Sequence, residues 1–160
     1  MPVALYRIDD RLIHGQVVEG WVPEFKITEI AVVSESLKND LLRQNIMRFS
    51  TPENIKLNFL DSETAMPYLS GTAVSSRENI LVLFPGLSEA ASLVRKGLEL
   101  KFLNIGGMHY SAGKNFSIGK AIFLNQEDCD NLKFLDEEGV KMEGKGIPHD
   151  KPVDILESIR

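Results

Sequence analysis

Cysteine is nearly absent. The 160 residues hold one, Cys129, which excludes an intramolecular disulfide and any multi-cysteine metal site. Long apolar runs are missing too. The longest, Ile80 to Phe84, is far short of the roughly 20 residues that a membrane-spanning helix needs. The first residues lack a basic segment followed by an apolar stretch, which argues against a signal peptide. Positive charge is in deficit, with 18 Lys plus Arg against 23 Asp plus Glu and a net charge of −5. That balance argues against a nucleic-acid partner. Histidine is scarce: His14, His109 and His149 are too few and too scattered for a metal site. What is left is one soluble, cytoplasmic domain spanning 1–160, long enough to bury a sizeable core.

Short β-branched segments alternate with segments of helical period. Val3 to Ile8 reads as a strand. Gly15 to Val22 puts Val17, Val18, Trp21 and Val22 on one helical face, with Pro23 helping to end it. Glu29 to Val33 is the next strand. Ser36 is the expected cap of a helix turning Leu37, Leu41, Leu42, Ile46 and Phe49 inward. Lys56 to Leu60 is a weaker strand, followed by a short helix from Ser62 to Leu69 that contains Pro67. Ile80 to Phe84 is the clearest buried strand. Ser88 then caps a helix carrying Ala91, Val94 and Leu98. Phe102 to Ile105 is a strand ending at Gly106-Gly107.

The last third is less regular. Asn115 to Leu124 has room for one or two short strands. Asn125 to Glu138 reads as a helix closed by Gly139. Val140 to Glu143 suits a short strand, and Val153 to Arg160 a final helix with Val153, Leu156 and Ile159 spaced by three. Repeated βα units predict an α/β fold: a single-domain open twisted, mostly parallel sheet with helices on both faces. Ligands of such sheets gather beyond the carboxyl ends of the strands. That points to Asp9–His14, Asp61 onwards, Pro85-Gly86 and Gly106–Lys114.

The segment Arg7-Ile8-Asp9-Asp10-Arg11-Leu12-Ile13-His14-Gly15-Gln16 packs two acids, two arginines and a histidine between a strand and a helix. A neutral imidazole keeps a lone pair that can attack a phosphoryl group. Arg11 can hold phosphoryl oxygens with its planar fork. The backbone of Gly15 and Gln16, at a helix start, can approach an anion closely. Asp9 or Asp10 can orient the imidazole or Arg11, and spacing alone does not choose between them; Asp10 is carried with His14 and Arg11 as a candidate site residue. The same residues also suit an ordinary Arg7–Asp9 ion pair and a solvated turn.

Other signals weigh less. Gly107 to Lys114 imitates a P-loop but has one residue too many before Gly113-Lys114 and lacks the following Ser or Thr. Lys114 and Lys120 read as solvated, His109 and His149 as loop residues, and Cys129 and Trp21 as packed. Gly106-Gly107 fits either a structural turn or a close backbone approach. Asp9-Asp10 and Asp61 imitate a receiver domain, but the expected lysine and small hydroxyl residue after later strands are missing.

The run from Arg7 to Val17 resembles the signature of the IIB component of the mannose/fructose/sorbose family of the sugar phosphotransferase system (PTS). Asn104-Ile105-Gly106-Gly107-Met108-His109 is similar to the family's glycine turn, and the likeness extends over nearly the whole chain. The resemblance implies a protein-N(pi)-phosphohistidine–sugar phosphotransferase. In it, His14 takes a phosphoryl group from a phosphohistidine on a IIA protein and passes it to a sugar held by membrane IIC and IID subunits. It implies a role for Arg11 in transfer, no cofactor, peripheral association with the membrane partners and, in many members, a homo-oligomer. An orphan regulatory phosphorelay or binding module is the alternative.

Overall fold

The computed structural model describes residues 3–70, 79–157 and 159. Its main sheet has seven strands in the order β3-β2-β4-β1-β5-β8-β9. These are β1 (Val3–Ile8), β2 (Glu29–Val33), β3 (Lys56–Leu60), β4 (Ile80–Phe84), β5 (Phe102–Ile105), β8 (Lys141–Gly144) and β9 (Val153–Asp154). All neighbours pair in parallel except β8 and β9. Two short strands, β6 (Phe116–Ile118) and β7 (Ile122–Leu124), form a separate antiparallel pair. β2 and β4 are buried along their whole length, as their unbroken apolar sequences require of central parallel strands.

Helices cover both faces and build two cores. One contains Val17, Trp21, Ile30, Val32, Leu37, Leu81 and Leu83. The other contains Ile8, Phe84, Ala90, Leu93, Leu103, Cys129, Leu132 and Leu135. Among the described residues the helices are α1 (Val22–Glu24), α2 (Glu35–Lys38), α3 (Leu41–Phe49), α4 (Ser62–Ser70), α5 (Leu87–Arg95) and α6 (Gln126–Glu137), with a π-helical turn, Val17–Trp21, leading into α1. Asn125 and Asp128 form a reciprocal capping box at the start of α6. Gly139 (φ +85°) closes it, with its own amide and that of Val140 reaching back to Asp136 and Leu135.

Five expectations need correction. Pro23 lies in the first turn of α1 rather than ending a helix, because that position needs no amide donor. Ser34, not Ser36, caps α2 by accepting from the Leu37 amide, and Asp40 starts α3 afresh by accepting from Arg43. That restart turns Gln44 and Met47 toward the body, while Leu41, Leu42, Ile46 and Phe49 stand 72, 72, 58 and 92% exposed. Only Leu37 of the expected inward set is buried. Gly86, not Ser88, is the N-cap of α5, and Leu98 lies beyond the helix. Finally, Val153 begins β9 rather than a helix. Asp154 caps a turn by accepting from Leu156 and Glu157, and Ile155 is the residue that enters the core.

Candidate functional site

The register of four strands brings four loops together. Ile8 pairs with Phe84 on one side and Ile105 on the other, and Ile105 pairs with Gly144. The loops after these strands continue the ladder. Asp9 donates its amide to Phe84 O (3.0 Å), Gly106 to Ile8 O (2.7 Å), Asp10 to Gly107 O (3.0 Å) and Lys145 to Ile105 O (3.0 Å).

A buried polar knot lies beneath this edge. Arg7 and Asp9 are two residues apart and therefore share a face of the extended chain. Both are fully buried, and Arg7 Nη2 lies 3.1 Å from Asp9 Oδ2. The guanidinium also donates to Asn104 Oδ1, to Lys145 O (2.8 Å) and to Gly146 O (3.1 Å). It lies 4.7 Å from the centroid of the Trp21 ring, whose Nε1 donates to the same Gly146 carbonyl (2.9 Å). Burial pulls the Arg7 pKa down, and the charge of Asp9 acts against that shift. A Cβ on Gly106 would collide with Arg7 Nη2, so this glycine serves a close backbone approach, made to the Arg7 guanidinium. Arg7 Nε and Asn104 Nδ2 are buried without a hydrogen-bond partner among the described residues.

The knot holds the histidine. Asp9 Oδ2 lies 2.9 Å from His14 Nε2, and the His14 side chain is 14% exposed. Asp9 Oδ1 accepts the Arg11 amide (3.1 Å), and Arg11 Nη2 donates to Gln16 Oε1 (2.9 Å). Arg11 remains 44% exposed at the mouth of the site. Leu12 between them is buried with φ +58°, its amide bonded to Asp9 O. The His14 carbonyl takes the amides of Val17 and Val18, so Gly15 and Gln16 head the helical run, and no atom comes within 4 Å of a Cβ at Gly15. Arg11 and Gln16 line a cleft of about 490 Å³ with Gly106, Lys120, Lys145 and Lys151.

Asp10 does not meet His14. Its carboxylate accepts the His109 amide (2.6 Å) and contacts His109 Nδ1 (2.6 Å). The acid in contact with the imidazole is therefore Asp9, not Asp10. Asp9 continues the alternation of β1 toward the knot, whereas Asp10 turns to the loop after β5. Sequence reasoning missed Asn104, the Lys145 and Gly146 carbonyls and the pairing of Asp10 with His109. A polar residue between Leu103 and Ile105 in an otherwise apolar strand was a usable signal for Asn104. Lys114 is not solvated: its Nζ pairs with Asp128 at 2.6 Å, both largely buried. Asp61 caps α4, and hydrogen bonds from Thr64 hold its carboxyl below the usual range. Cys129 is packed, and burial raises its thiol pKa. Among the described residues there is no cluster of three or more His, Cys, Asp or Glu suited to a metal, and no helix is long and apolar enough to cross a membrane.

This α/β fold is that of PTS IIB domains. The crystal structure of the IIBSor domain of the sorbose permease from Klebsiella pneumoniae superposes with a TM-score of 0.91 at 33% identity, covering 99% of this chain and 96% of that one. The sorbose-specific EIIB component of Lacticaseibacillus casei is 34% identical over 159 residues, 99% of this chain and 96% of that protein. The mannose-specific EIIAB component of Escherichia coli (strain K12) is 27% identical over 99% of this chain, which spans 49% of that protein. The model of the PTS system sorbose subfamily IIB component matches residues 3–160, and the chain belongs to that family. IIB components are phosphotransferases of sugar uptake, and in the sorbose and mannose systems they work with IIA proteins and membrane IIC and IID proteins.

Proposed function

We propose that this chain is a cytoplasmic phosphocarrier whose acceptor atom is His14 Nδ1. The observation that carries this reading is the contact of Asp9 with Nε2. A buried carboxylate accepts a hydrogen bond, so it keeps the proton on Nε2 and leaves the lone pair on Nδ1. In the first step the P–N bond of the phosphohistidine on IIA breaks as the Nδ1–P bond forms. In the second, that bond breaks as the phosphorus takes the hydroxyl oxygen of a sugar held by IIC and IID, the hydroxyl proton passes to water, and His14 returns to the neutral imidazole. Asp9 stabilises the positive charge on the imidazole. Arg11 and the amides of Gly15 and Gln16 meet the phosphoryl oxygens, so catalysis is mainly positioning and charge neutralisation. Asp10 acts by holding the loop after β5 against the site.

The test is incubation with a phosphorylated IIA protein. The parent acquires an acid-labile, base-stable adduct, and His14→Ala acquires none while keeping its fold by circular dichroism. Arg11→Ala slows labelling about 100-fold with little change in stability. A base-labile adduct, or labelling retained in His14→Ala, overturns the assignment.

A further inference from the structure

Among the described residues, the four most exposed large aliphatic and phenyl side chains share the outward face of α3, which phosphoryl transfer leaves unused. Leu41, Leu42, Ile46 and Phe49 face water on a helix attached from its other side. Gln44 Nε2 donates to the carbonyls of Leu37 (2.5 Å) and Lys38 (3.0 Å), and Met47 packs on the core. Arg48 lies over the Phe59 ring and donates to Leu57 O. A contiguous exposed patch of this kind marks a contact surface.

The charge on the helix itself has one sign. No acid occurs from Leu41 to Phe49, whereas Arg43 and Arg48 do. Of the nearby carboxylates, Asp40 caps the helix by accepting the Arg43 amide, and Glu35 is turned to the Ser62 amide (2.7 Å). Lys38 and Lys56 flank the helix, with Glu53 the one further acid in the following turn. A positive apolar helix therefore sits on a chain of net charge −5.

We propose that α3 is an interfacial helix that seats on anionic lipid. Its four apolar side chains enter the boundary of the acyl region, and its arginines stay level with the phosphates. Area argues against a second copy of the chain. The four side chains expose on the order of 500 Å² of accessible surface, less than the about 800 Å² that each partner buries in a stable interface. A second copy would also set arginine against arginine. Lipid needs neither a matching shape nor a large footprint. β3, beside which α3 lies, is three places along the sheet from β1, so lipid contact leaves the His14 loop free.

Cosedimentation of the full chain with protein-free vesicles tests this. Phosphatidylglycerol vesicles should bind it, less so as salt rises, and phosphatidylcholine vesicles should bind it weakly. Phe49→Asp and Leu42→Asp should each weaken binding about tenfold or more, and Arg43→Glu should also weaken it. Because these side chains are exposed, the variants keep their fold and their labelling by phosphorylated IIA, which separates this proposal from the role of His14. No binding to phosphatidylglycerol at low salt, or unchanged binding in Phe49→Asp, overturns the proposal. So does a change of oligomeric state in Phe49→Asp without lipid binding, which assigns the face to a second copy. Binding only to vesicles that contain IIC and IID also overturns it, by assigning the face to a membrane protein.

Discussion

At the carboxyl end of β1 an arginine, an aspartate and an asparagine are shut away from water, whereas on α3 two leucines, an isoleucine and a phenylalanine stand in it. Both placements run against simple partition. The first is held by partners: Arg7 meets Asp9, Asn104, two carbonyls and the Trp21 ring. The second has no such compensation within the fold. A buried charge is maintained by the molecule itself, while an exposed apolar face points to a contact outside it.

The sharpest way to break the contrast is Arg7→Met. It leaves Asp9 charged, buried and without its guanidinium, and should lower stability by about 3–5 kcal/mol, measured by urea unfolding. Adding Asp9→Leu should recover most of that loss, while removal of the Asp9 contact with His14 should sharply slow labelling by phosphorylated IIA. Gly106→Ala comes next. Its Cβ would also fall 2.6 Å from Arg7 Cζ and 2.9 Å from Asp9 Oδ2, so the guanidinium must move, at about 3 kcal/mol.

Tyr6, on the opposite face of β1, gives a smaller effect with a defined pH window. Burial raises its phenol from 10.0 to about 12. The folded state holds that proton more tightly than the unfolded chain. The stabilisation is therefore complete below pH 10 and is lost as pH rises toward 12. Tyr6→Phe should keep about 1–2 kcal/mol that the parent loses across that range, read from thermal melts at each pH. Smallest of all is Leu42→Ser on α3, expected within about 0.5 kcal/mol of the parent. A larger loss would mean that α3 packs its outward face against the body.

The same contrast explains what could be read from the sequence. The strands Val3 to Ile8, Glu29 to Val33 and Ile80 to Phe84 were legible because central parallel strands are apolar throughout. His14 and Arg11 stood out because their chemistry is concentrated in one short loop. The periodicity of Leu41, Leu42, Ile46 and Phe49 was also real, but a hydrophobic stripe identifies a face and not what the face meets. Ser34 and Asp40 cut the expected helix in two, and that rotation is a matter of capping rather than of hydropathy. The choice between Asp9 and Asp10 depended on His109, whose pairing with Asp10 follows from β5 lying beside β1. Adjacency across 99 residues is a property of topology that local spacing does not contain.

Leu12 carries one more consequence. A non-glycine residue with φ +58° is unfavourable by about 1–2 kcal/mol, yet its side chain is almost wholly buried and its amide is bonded to Asp9. Packing thus selects a single shape for the chain between Asp9 and His14 before any partner arrives. The disorder of that segment is removed when the protein folds and not when it docks. In the proposed phosphocarrier role, encounters with a donor can therefore be brief and weak without loss of aim, because little order remains to be gained on docking.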